Sequence, residues 1–173
     1  MPVATAAQTI GPYWHLIEHP EFADLTRFGA QGERIILTGR VTDGDGALVT
    51  DGCVEIWQSS PEASETFPGY GRAATNANGE FRLVTLKPGP VAGRGNTLQA
   101  PHIAINLLMR GVLTRLYTRL YFAGDPHNDN DPLLSSIEDK QRRGTLIAHP
   151  DGPDTWRLDI RLQGEGETVF IEI

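Results

Sequence analysis

From about Glu33 onward, apolar and polar residues alternate with a period of two, the spacing that sends successive side chains to opposite faces of a pleated strand. Helical periodicity is scarce, so the chain is restricted to layered β structure. In His102 to Arg110, residues Ile103, Ile105, Leu107 and Met109 share one face, which predicts the core side. His102, Ala104, Asn106, Leu108 and Arg110 share the other. Trp156, Leu158, Ile160 and Leu162 alternate with Arg157, Asp159, Arg161 and Gln163, the pattern of an antiparallel strand wet on one side. Phe81 to Leu86 is a third strand. Arg34 to Val41, Cys53 to Gln58, Thr114 to Phe122, Gly144 to Ala148 and Thr168 to Ile173 are further candidates. Turn signals such as Asp43-Gly44-Asp45-Gly46, Asn78-Gly79 and Gly124-Asp125-Pro126 separate them. Short strands punctuated in this way predict an all-β, antiparallel β-sandwich.

One short helix is expected from about Pro132 to Glu138, with Asp131 as its N-cap and Pro132 at its first position. The first 32 residues lack sustained alternation and carry Gly11-Pro12-Tyr13-Trp14, so residues 1–32 are predicted to form an arm and residues 33–173 the β-sandwich domain. An arm with exposed aromatics often packs on a partner.

At 173 residues the chain has room for one core. Fifteen Lys and Arg against 22 Asp and Glu leave a formal net charge of −7, which disfavours nucleic acid as a partner. Hydrophobic residues make up 39% of the chain, and no run approaches the ~20 apolar residues that span a bilayer. Met1 to Ile10 holds no Lys or Arg and no apolar run of signal-peptide length, so the expected compartment is the cytoplasm. The single cysteine, Cys53, excludes an internal disulfide and reads as a small buried thiol at the start of an apolar strand.

Several clusters have ordinary explanations. His15 and His19 are four apart, but Leu16 stands where a His-Glu-x-x-His motif needs its Glu. Asp43 and Asp45 lack the ligand run and closing Glu of a calcium loop and read as a hairpin turn. His127-Asn128-Asp129-Asn130-Asp131 is rich in hard oxygen donors, yet its place between a strand and a helix cap suits loop chemistry. Ser59-Ser60 has no nucleophile-elbow context. Two features stand out. Gln8 to Tyr13 joins a fixed turn to a phenol and a hydroxyl, and could be a plain hydrophobic anchor. Arg110 closes an apolar strand before Gly111, where its planar fork suits a carboxylate and a structural ion pair is the competing reading.

Gln8-Thr9-Ile10-Gly11-Pro12-Tyr13, Leu37 to Val41, Val54-Glu55-Ile56-Trp57-Gln58, Leu86-Lys87-Pro88-Gly89-Pro90, Ala100-Pro101-His102-Ile103 and Thr118 to Phe122 follow the order and spacing of one family. The stretch Arg157 to Phe170 extends the match to nearly the whole chain. The sequence resembles the intradiol ring-cleavage dioxygenases, and the resemblance implies their β-sandwich. Iron-bearing family members hold Fe(III) with two tyrosinates and two histidines, a donor set suited to that ion. Here the family's Lys-Pro-Gly-Pro-Tyr ends in Val91, and its Pro-His-x-His keeps His102 but has Ala104. Tyr70 lies too close to Gly71-Arg72 to match the upstream ligand.

The resemblance therefore implies the iron-free subunit of a two-subunit member, with Fe(3+) held by a homologous beta subunit. It further implies protocatechuate and O2 as substrates, cleaved to 3-carboxy-cis,cis-muconate in the β-ketoadipate route of aromatic breakdown. Matching residue by residue carries substrate-binding roles to Thr9, Gly11, Pro12, Tyr13 and Arg110, with no catalytic or metal-binding residue on this chain. About 26 Å of extended strand would separate His102 from Arg110, keeping that pocket apart from the former metal position. Two other readings are a non-catalytic β-sandwich binding module, and a self-sufficient iron enzyme using Tyr13 with His15.

Overall fold

Alternation becomes strand wherever turn residues bound it. The computed structural model describes residues 11–172, and among these the strands are β1 (Arg34–Thr42), β2 (Cys53–Trp57), β3 (Tyr70–Ala74), β4 (Glu80–Leu86), β5 (Val91–Ala92) and β6 (Leu98–Gln99). They continue with β7 (His102–Leu108), β8 (Leu116–Phe122), β9 (Ile147–Pro150), β10 (Thr155–Arg157) and β11 (Ile160–Arg161). One edge of β1 pairs with β4, and its other edge takes β10 and β11. From β10 the sheet runs on through β9, β8, β7 and β2 to β3. Its two ends, β3 and β4, come back into contact, so the sheet is nearly closed and barrel-like. β5 and β6 form a separate ribbon.

The sheet is mixed, which corrects the expectation of a wholly antiparallel arrangement. β1 runs parallel to β10 and β11, and β8 runs parallel to β9. Parallel neighbours need a long crossover. Between β8 and β9 it is supplied by two helices, α1 (Pro132–Ser136) and α2 (Lys140–Gly144). Period-two alternation marks faces but carries no strand direction, so this feature was invisible to the pattern.

α1 starts as expected: the Asp131 carboxylate accepts from the backbone N–H of Leu133 and Leu134, and Pro132 occupies the first turn. It ends at Ser136, before the predicted Glu138. The expectation of a single helix is also corrected, because Asp139 caps α2 through Gln141 and Arg142. The predicted strand over 156–162 is broken. Leu158 N–H bonds to Thr38 O, and the Asp159 carboxylate accepts from Arg40 N–H. A side chain at Gly39 would collide with Leu158 O and the Phe81 ring, so only glycine permits this approach. Over 168–172 no strand forms. The segment is instead tied to its neighbours by Thr168 N–H to Arg161 O, Ile171 N–H to Tyr117 O and Thr118 Oγ1 to Val169 O.

The predicted core face of β7 is buried: Ile103, Ile105, Leu107 and Met109 are 0–4% exposed. They pack with Leu37, Val54, Ile56, Leu83, Leu120 and Phe122 in one cluster. Each such side chain contributes about 1.5–3 kcal/mol on burial. The ammonium of Lys87 sits 3.8 Å from the ring centre of Phe122 and 3.6 Å from that of Trp156, and burial pulls its pKa down. In the arm, helical turns occupy Gly11–Ile17 and Pro20–Ala23. Trp14 and Leu25 are buried, Leu25 N–H bonds to Val84 O, and an Arg72 Nη2 donates to Ile17 O. The described part of the arm is docked on the sheet.

Candidate functional site: the two ends of β7

The positions that the resemblance matches to the family's iron ligands fall on β7, at His102 and Ala104, and on β5, at Val91. Ala104 is buried between Trp57 and Arg119 on neighbouring strands, and Val91 is half-buried in β5; neither offers a donor atom. The His102 ring lies against Tyr121 with centroids 5.6 Å apart, and its Nδ1 is 2.7 Å from Ala100 O. Because a carbonyl oxygen can only accept, that contact makes Nδ1 the protonated, donating nitrogen. Burial holds the His102 pKa below the usual histidine value, despite the opposing bond to Ala100.

Beside it the fully buried Asp131 carboxylate accepts from Tyr121 Oη (3.1 Å) and from the N–H groups of Ala100, Leu133 and Leu134 at 2.9–3.0 Å. Arg119 Nη1 donates to Gln99 Oε1 at 2.8 Å and to Tyr121 Oη at 3.4 Å. Burial drives the Tyr121 pKa upward, so the phenol stays protonated. Of the three matched positions, Val91, His102 and Ala104, only His102 has a ligand atom, and the neighbouring oxygens are already committed. Among the described residues no three His, Cys, Asp or Glu side chains cluster as metal ligands. This donor set does not fit ferric iron.

The far end is built differently. β7 stops at Leu108, two residues short of the predicted Arg110, and Gly111 turns the chain with φ of +83°. Arg110 is therefore on the turn, with its side chain 75% exposed and its Nε 3.1 Å from Asp51 Oδ2. Asp51 belongs to the tight turn entering β2. That turn is pinned by the buried Thr75, whose Oγ1 accepts from Gly52 N–H at 2.8 Å and whose own N–H bonds to Gly52 O at 2.8 Å. From the arm, Trp14 Nε1 donates to Asp51 O at 3.0 Å. Its ring is buried, and the adjacent Tyr13 is 63% exposed.

The arm and Arg110, 96 residues apart, thus meet at one turn. Gly11 and Pro12 open the helical turn that carries Tyr13 and Trp14. Thr9 lies outside the described residues. Asp51 escaped sequence reasoning because its contacts are long-range, and Trp14, expected as one of the arm's exposed aromatics, is buried. A cavity of about 490 Å³ between the arm, β3, β4 and β10 is lined by Thr38, Arg72, Arg82 and Arg157 among others, and takes in neither Arg110 nor Tyr13.

The other clusters behave as ordinary structure. Asp43 Oδ1 accepts from Asp45 and Ala47 N–H in a turn. His127 pairs with Asp125, which caps the helical turn Pro126–Asn130. Cys53 is buried and its pKa is pushed up to about 12, chiefly by burial, which keeps it a thiol rather than a nucleophile.

The family model described as "Dioxygenase" matches residues 18–164. The protocatechuate 3,4-dioxygenase alpha chain of Pseudomonas putida is 41% identical, covering 97% of this chain and 96% of the relative. The beta chain of the enzyme from Burkholderia cepacia is 32% identical over 94% of this chain and 77% of its own length. Among solved structures, the dioxygenase domain of a carbohydrate-binding fusion from Streptomyces sp. SirexAA-E superimposes with a TM-score of 0.62 at 24% identity, covering 85% of this chain and 88% of that one. That last likeness speaks to the fold alone. The chain belongs to the intradiol ring-cleavage dioxygenase family, whose members depend on iron. Within it, the similarity to the Pseudomonas putida alpha chain runs over nearly the full length of both proteins. No helix among the described residues is long and apolar enough to cross a membrane.

Proposed function

We propose that this chain is the alpha subunit of a cytoplasmic protocatechuate 3,4-dioxygenase of the β-ketoadipate route, working with a homologous beta subunit that holds the Fe(3+). The pair cleaves protocatechuate with O2 between its two hydroxyl-bearing carbons to give 3-carboxy-cis,cis-muconate. The observation that carries this reading is the contrast between a former metal position with one remaining ligand atom and an intact, exposed cation at the opposite end of the same strand.

The Arg110 guanidinium receives the substrate carboxylate through its planar fork of N–H donors. Tyr13 forms a wall of the pocket, and Thr9, Gly11 and Pro12 bring the arm, residues 1–32, against partner and substrate. The sandwich of residues 33–173 is the support. Arg110 and Tyr13 are mostly exposed here, which suits a pocket completed by a second chain. This chain supplies neither the metal nor an acid–base group; it shapes the cavity and sets its charge.

The test is to express the chain alone and together with the homologous subunit, then to measure bound iron and the visible tyrosinate-to-iron absorption. Colour and protocatechuate oxygenation only on co-expression are expected. Iron and colour in the isolated chain, or no complex with the homologue, would overturn the proposal.

A further inference from the structure

Arg110 reaches solvent from a turn, and a side chain that is 75% exposed ordinarily samples many rotamers. One contact opposes that freedom. Asp51 Oδ2 lies 3.1 Å from Nε, the inner nitrogen of the guanidinium, while no other ion pair or hydrogen bond of Arg110 occurs among the described residues. The Asp51 carboxylate engages the guanidinium at its inner nitrogen as an ion pair, and among the described residues the outer pair of nitrogens has no partner. Asp51 is itself fixed twice: the turn behind it is pinned by Thr75, and its carbonyl accepts from the buried Trp14 indole.

We infer that Asp51 is a positioning residue for substrate recognition: it holds the Arg110 fork outward for the substrate carboxylate, and Trp14 links that geometry to docking of the arm. The inference rests on the reading of Arg110 given above. Two effects of opposite sign compete. The Asp51 charge repels an incoming carboxylate, but at an exposed site the repulsion is screened by water and salt. Ordering a flexible arginine before binding removes an entropy cost otherwise met at each encounter, and we expect this effect to dominate.

The experiment uses the assembled two-subunit enzyme with protocatechuate and with catechol, which lacks the carboxylate. For Asp51→Asn the KM for protocatechuate should rise by about two- to tenfold with a smaller change in kcat, and the kcat/KM preference for protocatechuate over catechol should fall accordingly. Arg110→Ala should lower that preference at least as far, and adding Asp51→Asn to Arg110→Ala should lower it no further. Trp14→Phe keeps an aromatic side chain but removes the indole N–H donor and leaves the charge unchanged, so it should move the preference in the same direction. An unaltered or lowered KM in Asp51→Asn, with Arg110→Ala impaired, overturns the positioning role alone. An unaltered preference in Arg110→Ala removes the reading beneath it. Should Asp51→Asn fail to assemble, Trp14→Phe decides: an unchanged preference overturns the inference.

Discussion

The two ends of β7 are made of similar materials and arranged to opposite purposes. Around His102 the carboxylate, phenol and guanidinium of Asp131, Tyr121 and Arg119 are buried or half-buried and bound to one another. Beyond Leu108, Arg110 has one partner among the described residues, at its inner nitrogen. A buried polar group is costly unless every donor and acceptor is met, so the first end has closed into a structural network. An exposed one can stay unsatisfied at little cost, and that leaves it free for a ligand. Under the proposed function, family membership alone would direct attention to the end of the strand that has lost its donors.

The comparison breaks most readily at Asp131. Asp131→Ala strands the N–H groups of Ala100, Leu133 and Leu134 and the Tyr121 hydroxyl, and removes the cap of α1. Unfolding in urea should show a loss of at least about 3 kcal/mol. A loss below about 1 kcal/mol would mean that the network is not the stabilising element described. Tyr121→Phe deletes one member and leaves the carboxylate its backbone partners, so about 1–2 kcal/mol is expected from the same measurement.

His102 gives a pH signature. Its pKa in the folded chain lies below that of the unfolded chain, so the unfolded state binds more protons as pH falls through the ordinary histidine range. The stability attached to His102 is complete above about pH 6.5 and declines below it. The unfolding midpoint of the wild-type chain should therefore drop between pH 7.5 and 5.5, and His102→Gln should drop by less. Equal slopes for the two would show that His102 does not titrate in this way. The smallest effect belongs to the other end. Arg110→Ala should change stability by no more than about 0.5 kcal/mol, because an ion pair at this exposure contributes little to folding. A larger loss would class the Arg110–Asp51 contact as structural.

Much of the scaffold was legible because its information is local. Alternation placed the faces of β7 and the residues of β1 and β4. Asp131-Pro132 announced the start of α1, whereas the strand expected to run to Arg110 ends at Leu108. What stayed hidden depends on distant neighbours. β3 carries Gly71 and three alanine or arginine positions with no alternation, and it forms by pairing along β2 while Leu25 from the arm packs where a side chain at Gly71 would lie. The parallel pairings follow from crossover lengths that no periodicity encodes. Asp51 stayed hidden because its partners come from positions 14 and 110. The absence of donors at Val91 and Ala104 was readable only by alignment with the family motifs. The saturation of the surrounding oxygens needed coordinates.

The central claim is that this chain gives the assembled enzyme a carboxylate-binding cation and no metal ligand. Iron content and protocatechuate KM, measured together on the complex carrying Arg110→Ala, test it most directly. The account predicts iron per complex equal to wild type with KM raised by about tenfold or more, the loss of a charge-assisted contact. Unchanged KM, or loss of the iron along with the guanidinium, would contradict it.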